Sequence, residues 1–200
     1  MALTDAQIER YSRQIIVPRL GGRGQERILA SRIVIAGDAR DIEAPLAYLV
    51  GAGVGTINLR LFAGQSGFAK KIAAAHELNP DVCVTVVDGP QGPVDLALVI
   101  VGSEAARKVA YEIADDRDVR ALVIARLDAP GKIAVIPDPH GPRIADASML
   151  ATVGTRSDAA DFIAMLATAE AFKLLAGYGE NPSRTIIEFD GYETRVRVDQ

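Results

Sequence analysis

The chain has 200 residues and a net charge of −4, with 49 % hydrophobic and 24 % charged residues. That is enough chain for one globular domain with a substantial core, and the acidic balance offers no nucleic-acid surface. A single cysteine, Cys83, excludes an internal disulfide and a cysteine-cluster metal site. The polar opening MALTDAQIERYSRQ is not a signal peptide. No apolar run reaches the roughly 18 residues of a membrane helix, so the expected setting is cytoplasmic, with no membrane and no nucleic acid among the partners.

Ser31-Arg32 leads into a short buried strand, Ile33–Ala36. Asp41–Val50 reads as a helix that ends at Gly51 and Gly53. Thr56–Phe62 alternates and is a second strand. Gly67–Leu78 is a helix stopped by Asn79-Pro80. Val82–Val87 is a third strand and Asp95–Val101 a fully apolar fourth. Ser103 is a cap for the next helix, whose Ala106, Val109, Ala110 and Ile113 share one face. Val119–Ala125 is a fifth strand. Strands and helices alternate up to this point, which implies a parallel sheet covered on both faces.

The pattern then changes. Lys132–Ile136 and Thr185–Phe189 read as strands, and Glu193–Val198 pairs with the latter across Asp190-Gly191. Asp158–Ala176 is a long helix with Phe162, Leu166, Ala169 and Phe172 along one side. Pro137–Ser157 is an irregular crossing segment. Cys83, within an apolar strand, is read as an inert core residue, and His76 and His140 as isolated. No linker, repeat or low-complexity stretch divides the chain.

Several stretches resemble the ThiF/MoeB/HesA family, the bacterial relatives of ubiquitin-activating enzymes. "ERYSRQIIVPRLGGRGQERILASRIVIAG" is similar to that family's N-terminal helices and first strand. "LVGAGVGTINLRLF" resembles the end of its first Rossmann helix and its second strand. "HELNPDVCVTVV" resembles its Asn-Pro turn, and "AEAFKLLAGYGENPSRTIIEFDG" its C-terminal helix and hairpin. The order and spacing match over nearly the whole chain. The resemblance implies an α/β, Rossmann-like fold: a mostly parallel sheet with helices on both faces and a C-terminal antiparallel hairpin. It also implies one ThiF-like domain over residues 1–200. Residues 1–30 would be N-terminal helices, 31–126 the Rossmann-like half, and 127–200 the half with the crossing segment, long helix and hairpin. The family adenylates the C-terminal glycine of a small ubiquitin-like or sulfur-carrier protein, using ATP and magnesium.

Individual positions depart from the family's pattern. Its G-x-G-x-x-G falls on Gly37, Ala39 and Ile42, so only the first glycine stands. The second glycine lets backbone amides approach phosphate and the third lets helix and strand pack closely. A helix N-terminus attracts anions, yet Asp38 and Asp41 put carboxylates there and only Arg40 offsets them. As carboxylates they suit capping of the helix instead. The family's ribose acid after the second strand is absent, and its magnesium-associated aspartate falls on Gly102 or Ser103, with Glu104 as an ordinary first-turn acid. Lys70 and Lys71 lie nearer the Asn-Pro turn than the family's phosphate lysine. Arg10 and Arg13 match the N-terminal motif from which an arginine reaches the partner subunit's nucleotide.

The positions of the altered nucleotide pocket are therefore Gly37, Ala39, Arg40, Ile42, Arg13 and Lys70, with no catalytic residue and no metal ligand among them. The sequence reads as a non-catalytic family member without a cofactor: a homodimer that binds a small ubiquitin-like carrier protein or an active relative. The alternative is an active ATP-dependent adenylyltransferase with a rearranged site, which would use ATP and magnesium. A nicotinamide-dependent oxidoreductase is opposed by the same broken glycine loop and by the lack of an acid–base pair.

Overall fold

The computed structural model describes residues 2–62, 67–89, 92–137, 149, 151–177, 185–190 and 193–198. Three short helices open the chain: α1 (Asp5–Arg10), α2 (Ser12–Ile15) and α3 (Gly21–Ala30). β1 (Arg32–Gly37), α4 (Ala39–Ala52), β2 (Thr56–Leu61), α5 (Phe68–Leu78) and β3 (Cys83–Val86) follow. Then come β4 (Leu96–Val101), α6 (Glu104–Asp115), β5 (Leu122–Arg126) and β6 (Gly131–Ile136). The chain ends in α7 (Ala160–Ala176), β7 (Thr185–Phe189) and β8 (Thr194–Val198).

The strands form one sheet in the order β3-β2-β1-β4-β5-β6-β7-β8. The first five run parallel, and β6, β7 and β8 add antiparallel pairings. The alternation of the strands assigns residues to the two faces. Leu96, Leu98 and Ile100 of β4 pack in one cluster with α3, α4, α5 and α7, whereas Ala97, Val99 and Val101 pack in the other with α6. α4 ends on Gly53 in the left-handed region. A Cβ on Gly53 would lie 2.6 Å from the Tyr11 ring. That close approach fixes α1 and α2 against the sheet, where Tyr11 Oη meets Asn79 and Asp81.

Two local expectations need correction, and α7 shows which of its sides is buried. Cys83 is exposed rather than core, because β3 is the sheet's edge strand and only Val84 of it is buried. The stripe Phe162, Leu166, Ala169 and Phe172 lies beside the fully buried side of α7, with Leu166 and Phe172 partly buried against the core. Ile163, Ala164, Ala167, Thr168, Ala171 and Leu175 face the sheet, leaving Phe162 54 % exposed. Val119 makes only an isolated bridge with Val94 before β5 begins at Leu122. Of the crossing segment, only Pro137, Met149 and residues 151–157 are described; His140 lies outside the described residues. No helix among the described residues is long and apolar enough to cross a membrane.

Candidate functional site

In a doubly wound sheet the ligand crevice opens at the carboxyl ends of the strands where the strand order reverses. Here that point lies between β1 and β4. β1 ends at Gly37 and α4 begins at Ala39, so residues 37–42 face the end of β4, Val101-Gly102. The structure thus brings Gly37, Ala39, Arg40 and Ile42 to the expected place.

The chemistry at that place is set by packing. Ile42 is fully buried in the core of the α4 face. A Cβ on Gly37 would lie 2.7 Å from Ile42 Cγ2 and 3.0 Å from the Ile100 carbonyl, so the two positions are fitted to each other. Asp38 occupies the N-cap position of α4, but its side chain makes no capping bond. Its Oδ1 is buried without a hydrogen-bond partner among the described residues. Arg40 is exposed.

Asp41 is the central group. Its side chain is 4 % exposed and Oδ1 accepts a 2.6 Å bond from Arg156 Nη1. The carboxylate lies against Gly102: a Cβ there would overlap Asp41 Oδ2 and stand 3.1 Å from its Cγ. Burial raises the Asp41 pKa from the ordinary carboxylate value, with Asp38 adding to the rise, and Arg156 and Arg40 oppose it. Arg156 Nη2 bonds Asp161 Oδ1 at 2.9 Å, so one guanidinium joins the first turns of α4 and α7.

Arg156 belongs to a strap, residues 151–157, laid over the ends of β4 and β5. Val153 N donates to Glu104 Oε1 at 2.7 Å and Gly154 N to Asp128 Oδ2 at 2.9 Å. Ser157 N donates to the Leu127 carbonyl and Ala129 N to the Thr155 carbonyl. Beneath the strap, Arg126 pairs with Asp128, both nearly buried, and also donates to the carbonyls of Ala151 and Thr152. Hydrogen bonds from Arg126 and Gly154 hold the Asp128 carboxyl below the usual range although burial alone would raise it. The Val153 amide and Arg107 do the same for Glu104. A cavity of about 730 Å³ adjoins the strap, lined by Thr155, Arg156, Ser157, Phe162, Phe189 and neighbours.

The remaining predicted positions do not join this group. Lys70 is exposed on the first turn of α5, beside Lys71, which pairs with Glu43 of α4. Arg13 is exposed on α2. Its neighbour Arg10 bonds Asp81 at 3.1 Å, ahead of β3 and thus at the opposite end of the parallel strands. Sequence reasoning missed Arg156, Arg126 and Asp128. Nothing in the spacing announces a partner 115 residues from Asp41. Among the described residues, no group of three or more His, Cys, Asp or Glu stands together as a metal set.

Comparison with known proteins follows the same line. No family model matches the chain. The SAMP-activating enzyme E1 of Haloferax volcanii is 27 % identical over 234 aligned positions, covering 96 % of this chain and 85 % of that protein. The molybdopterin-synthase adenylyltransferase of Escherichia coli is 26 % identical over 231 positions, covering 98 % and 93 %. Both alignments are longer than this chain, so both relatives carry insertions relative to it. Among solved structures, Escherichia coli MccB with succinimide superposes with a TM-score of 0.67 at 14 % identity, covering 96 % of this chain and 71 % of that one. At that identity the likeness is one of fold.

Proposed function

We propose that this chain, which belongs to the ThiF/MoeB family, keeps the family's single-domain fold without its adenylylation chemistry and serves as a homodimeric binding or scaffolding partner in a carrier-protein pathway. The observation that carries the reading is the buried Asp41 carboxylate, set against Gly102 and clasped by Arg156. Productive ATP binding needs anion-accepting amides at the start of α4, a metal-associated acid after β4 and a ribose acid after β2. Asp38 and Asp41 fill the first place with carboxylates, of which Arg156 offsets only Asp41. A carboxylate ~4 Å from one phosphate charge repels it by about 1 kcal/mol in water and about 4 kcal/mol at an effective dielectric of 20. Gly102 carries no acid, and Asp41 takes the space its side chain would need. β2 closes on Leu61-Phe62, also without an acid. The residues present therefore do not fit an ATP–magnesium group.

Unburied apolar surface supports the dimer. Ile16 is 77 % exposed and Tyr48 48 %. Tyr48 and Phe172 border a groove of about 480 Å³ that Val17 and Leu20 also line. A stable symmetric contact should bury well above ~1,000 Å², and light scattering at micromolar concentration should find twice the 21.2 kDa of one chain. The relatives' names support a carrier partner: one activates a SAMP and the other adenylylates molybdopterin synthase. The partner of this chain is accordingly a small ubiquitin-like carrier or an active relative.

Calorimetric titration with ATP–magnesium, paired with pyrophosphate exchange in the presence of carrier proteins, tests the reading. No heat and no exchange are expected. Micromolar binding with exchange would overturn it in favour of an active adenylyltransferase with a rearranged site. That second reading draws on two adenylyltransferase and activating-enzyme relatives that align over nearly the whole chain, and it requires Asp41 and Arg156 to part as ATP enters.

A further inference from the structure

The cavity of about 730 Å³ beside the strap is walled by parts that the nucleotide crevice does not use: the start of α7, the end of β7 and Asp190 beyond it. Two phenyl rings form its apolar wall. Phe162 and Phe189 stand 5.1 Å apart between centroids with their planes tilted by 46°, and Phe162 stays 54 % exposed. Each ring has a carboxylate close by in sequence: Asp158 lies shortly ahead of Phe162, and Asp190 follows Phe189. Both acids line the cavity and both are exposed. The positive features at the cavity are answered by other groups. Arg156 places its two Nη groups on Asp41 at 2.6 Å and Asp161 at 2.9 Å. The start of α7, whose amides would favour an anion, donates the Ala159 and Ala160 amides to Ser157 at 3.1 Å each and carries Asp161 in its first turn. Neither Asp158 nor Asp190 is drawn on for this balance.

We propose that this cavity receives the side chain of an arginine presented by a polypeptide partner: the guanidinium lies over the Phe162 and Phe189 rings and reaches Asp158 and Asp190, and the aliphatic stem covers the exposed Phe162. The inference goes beyond the reading above and needs neither the dimer nor the loss of ATP chemistry.

The chemistry of the wall selects this occupant. A cation over a phenyl face is attracted by the ring quadrupole, arginine more often than lysine. A guanidinium is planar, so it stacks on a ring and still points N–H groups sideways at carboxylates, whereas a lysine ammonium is a compact point charge without that fork. The long apolar stem of arginine packs along apolar surface while its head stays wet, which matches a half-exposed ring flanked by acids. The site's openness selects a polypeptide. Thr155, Asp158, Phe162 and Asp190 are all exposed, so the cavity opens to water along that side. A small free ligand is ordinarily enclosed over most of its surface. This cavity encloses one end of its occupant, which suits a side chain mounted on a larger body.

NMR titration of the isotope-labelled whole chain with an end-capped glycine peptide carrying one central arginine tests the site. Saturable shifts are expected at the amides of Thr155, Arg156, Asp158, Phe162, Phe189 and Asp190, and none in β2 or β3. The same peptide with citrulline, which keeps the shape and loses the charge, should bind about tenfold more weakly. Raised salt should weaken the arginine peptide. Asp158→Asn and Phe162→Leu, both at exposed positions, should each weaken it severalfold while the rest of the amide spectrum stays in place. Equal affinity for the citrulline peptide, tighter binding of a glutamate peptide, or no saturable shift at millimolar peptide would each overturn the proposal. Methylguanidinium binding as tightly as the peptide would assign the cavity to a small free cation and overturn its polypeptide occupant. The wild-type titrations decide the matter even where a variant folds poorly. No nucleotide enters the experiment, so ATP binding in the calorimeter would sink the non-catalytic reading without touching this one.

Discussion

Replacing Gly102 with alanine should expose how tightly Asp41 is held against it. The new methyl overlaps Asp41 Oδ2 and lies 3.1 Å from Asp41 Cγ and 3.4 Å from Leu127 Cδ1. Only the Asp41 carboxylate can yield, and yielding means leaving Arg156. Removing one partner of a buried ion pair costs about 3–5 kcal/mol. Arg156 is 27 % exposed and retains Asp161, which brings Gly102→Ala to about 2 kcal/mol on the same scale. Asp41→Ala should cost a similar amount, because it deletes the same contact. Asp41→Ala with Gly102→Ala should cost no more than Asp41→Ala alone, since the shortened side chain vacates the space the methyl enters. The coupling is then about 2 kcal/mol, within the range found for residues in direct contact. Urea unfolding with unchanged m-values gives the three numbers. Additive costs, totalling about 4 kcal/mol on that reckoning, would refute the claim that Asp41 lies against Gly102.

Ile42 is fully buried, so Ile42→Gly, which restores the family's third glycine, should cost upwards of about 3 kcal/mol from the lost side chain and the helix-interior glycine. Thermal melting reads the loss directly, and an unchanged melting temperature would contradict the packing. The Cys83 thiol, exposed on the edge strand, should react fully with a thiol reagent in native buffer; a requirement for denaturant would restore it to the core. Burial and the Asp81 carboxylate push the Tyr11 phenol up to about 12, with the Asn79 hydrogen bond acting the other way. The folded chain therefore holds this proton where the unfolded chain has lost it. The stability it contributes is complete below about pH 10 and disappears as pH rises to 12. A spectrophotometric titration should show one late tyrosine, absent in Tyr11→Phe.

The order of strands and helices was legible because apolar runs, Gly and Asn-Pro stops and a cap at Ser103 are local signals. Ala106 N does donate to Ser103 Oγ, and the four residues Ala106, Val109, Ala110 and Ile113 are buried. The exposure of Cys83 was not legible, since an apolar four-residue strand reads alike at the centre and edge of a sheet, and only the order β3-β2-β1 makes it an edge. On α7 the hydrophobic residues run almost all round the helix, so periodicity could not say which stripe meets the sheet. The site was half legible. The acids at 38 and 41 stand in plain view beside Gly37, but the guanidinium that pairs with Asp41 comes from an irregular segment with no period to read.

The survival of Gly37 deserves a physical account of its own, because a remaining motif glycine is easily taken for a remaining phosphate site. Its backbone has no positive φ, so no turn demands glycine there. What demands it is Ile42 Cγ2 at 2.7 Å and the Ile100 carbonyl at 3.0 Å from any Cβ. In the family's pattern the small residues of this loop serve an approaching phosphate. Here the same small residue serves an approaching isoleucine, and the helix–strand contact that the third glycine would make by absence of a side chain is made by filling the gap instead. Asp41 and Gly102 repeat the exchange one layer up, a carboxylate occupying room left by a missing side chain. On the proposed reading, reverting one position does not open a phosphate site: glycine at 42 leaves a hole under Gly37, and an acid at 102 collides with Asp41. Restoration requires residues 41, 42 and 102 to change together with Arg156, and a triple variant that leaves Arg156 in place should fold less stably than the wild type while still failing to bind ATP.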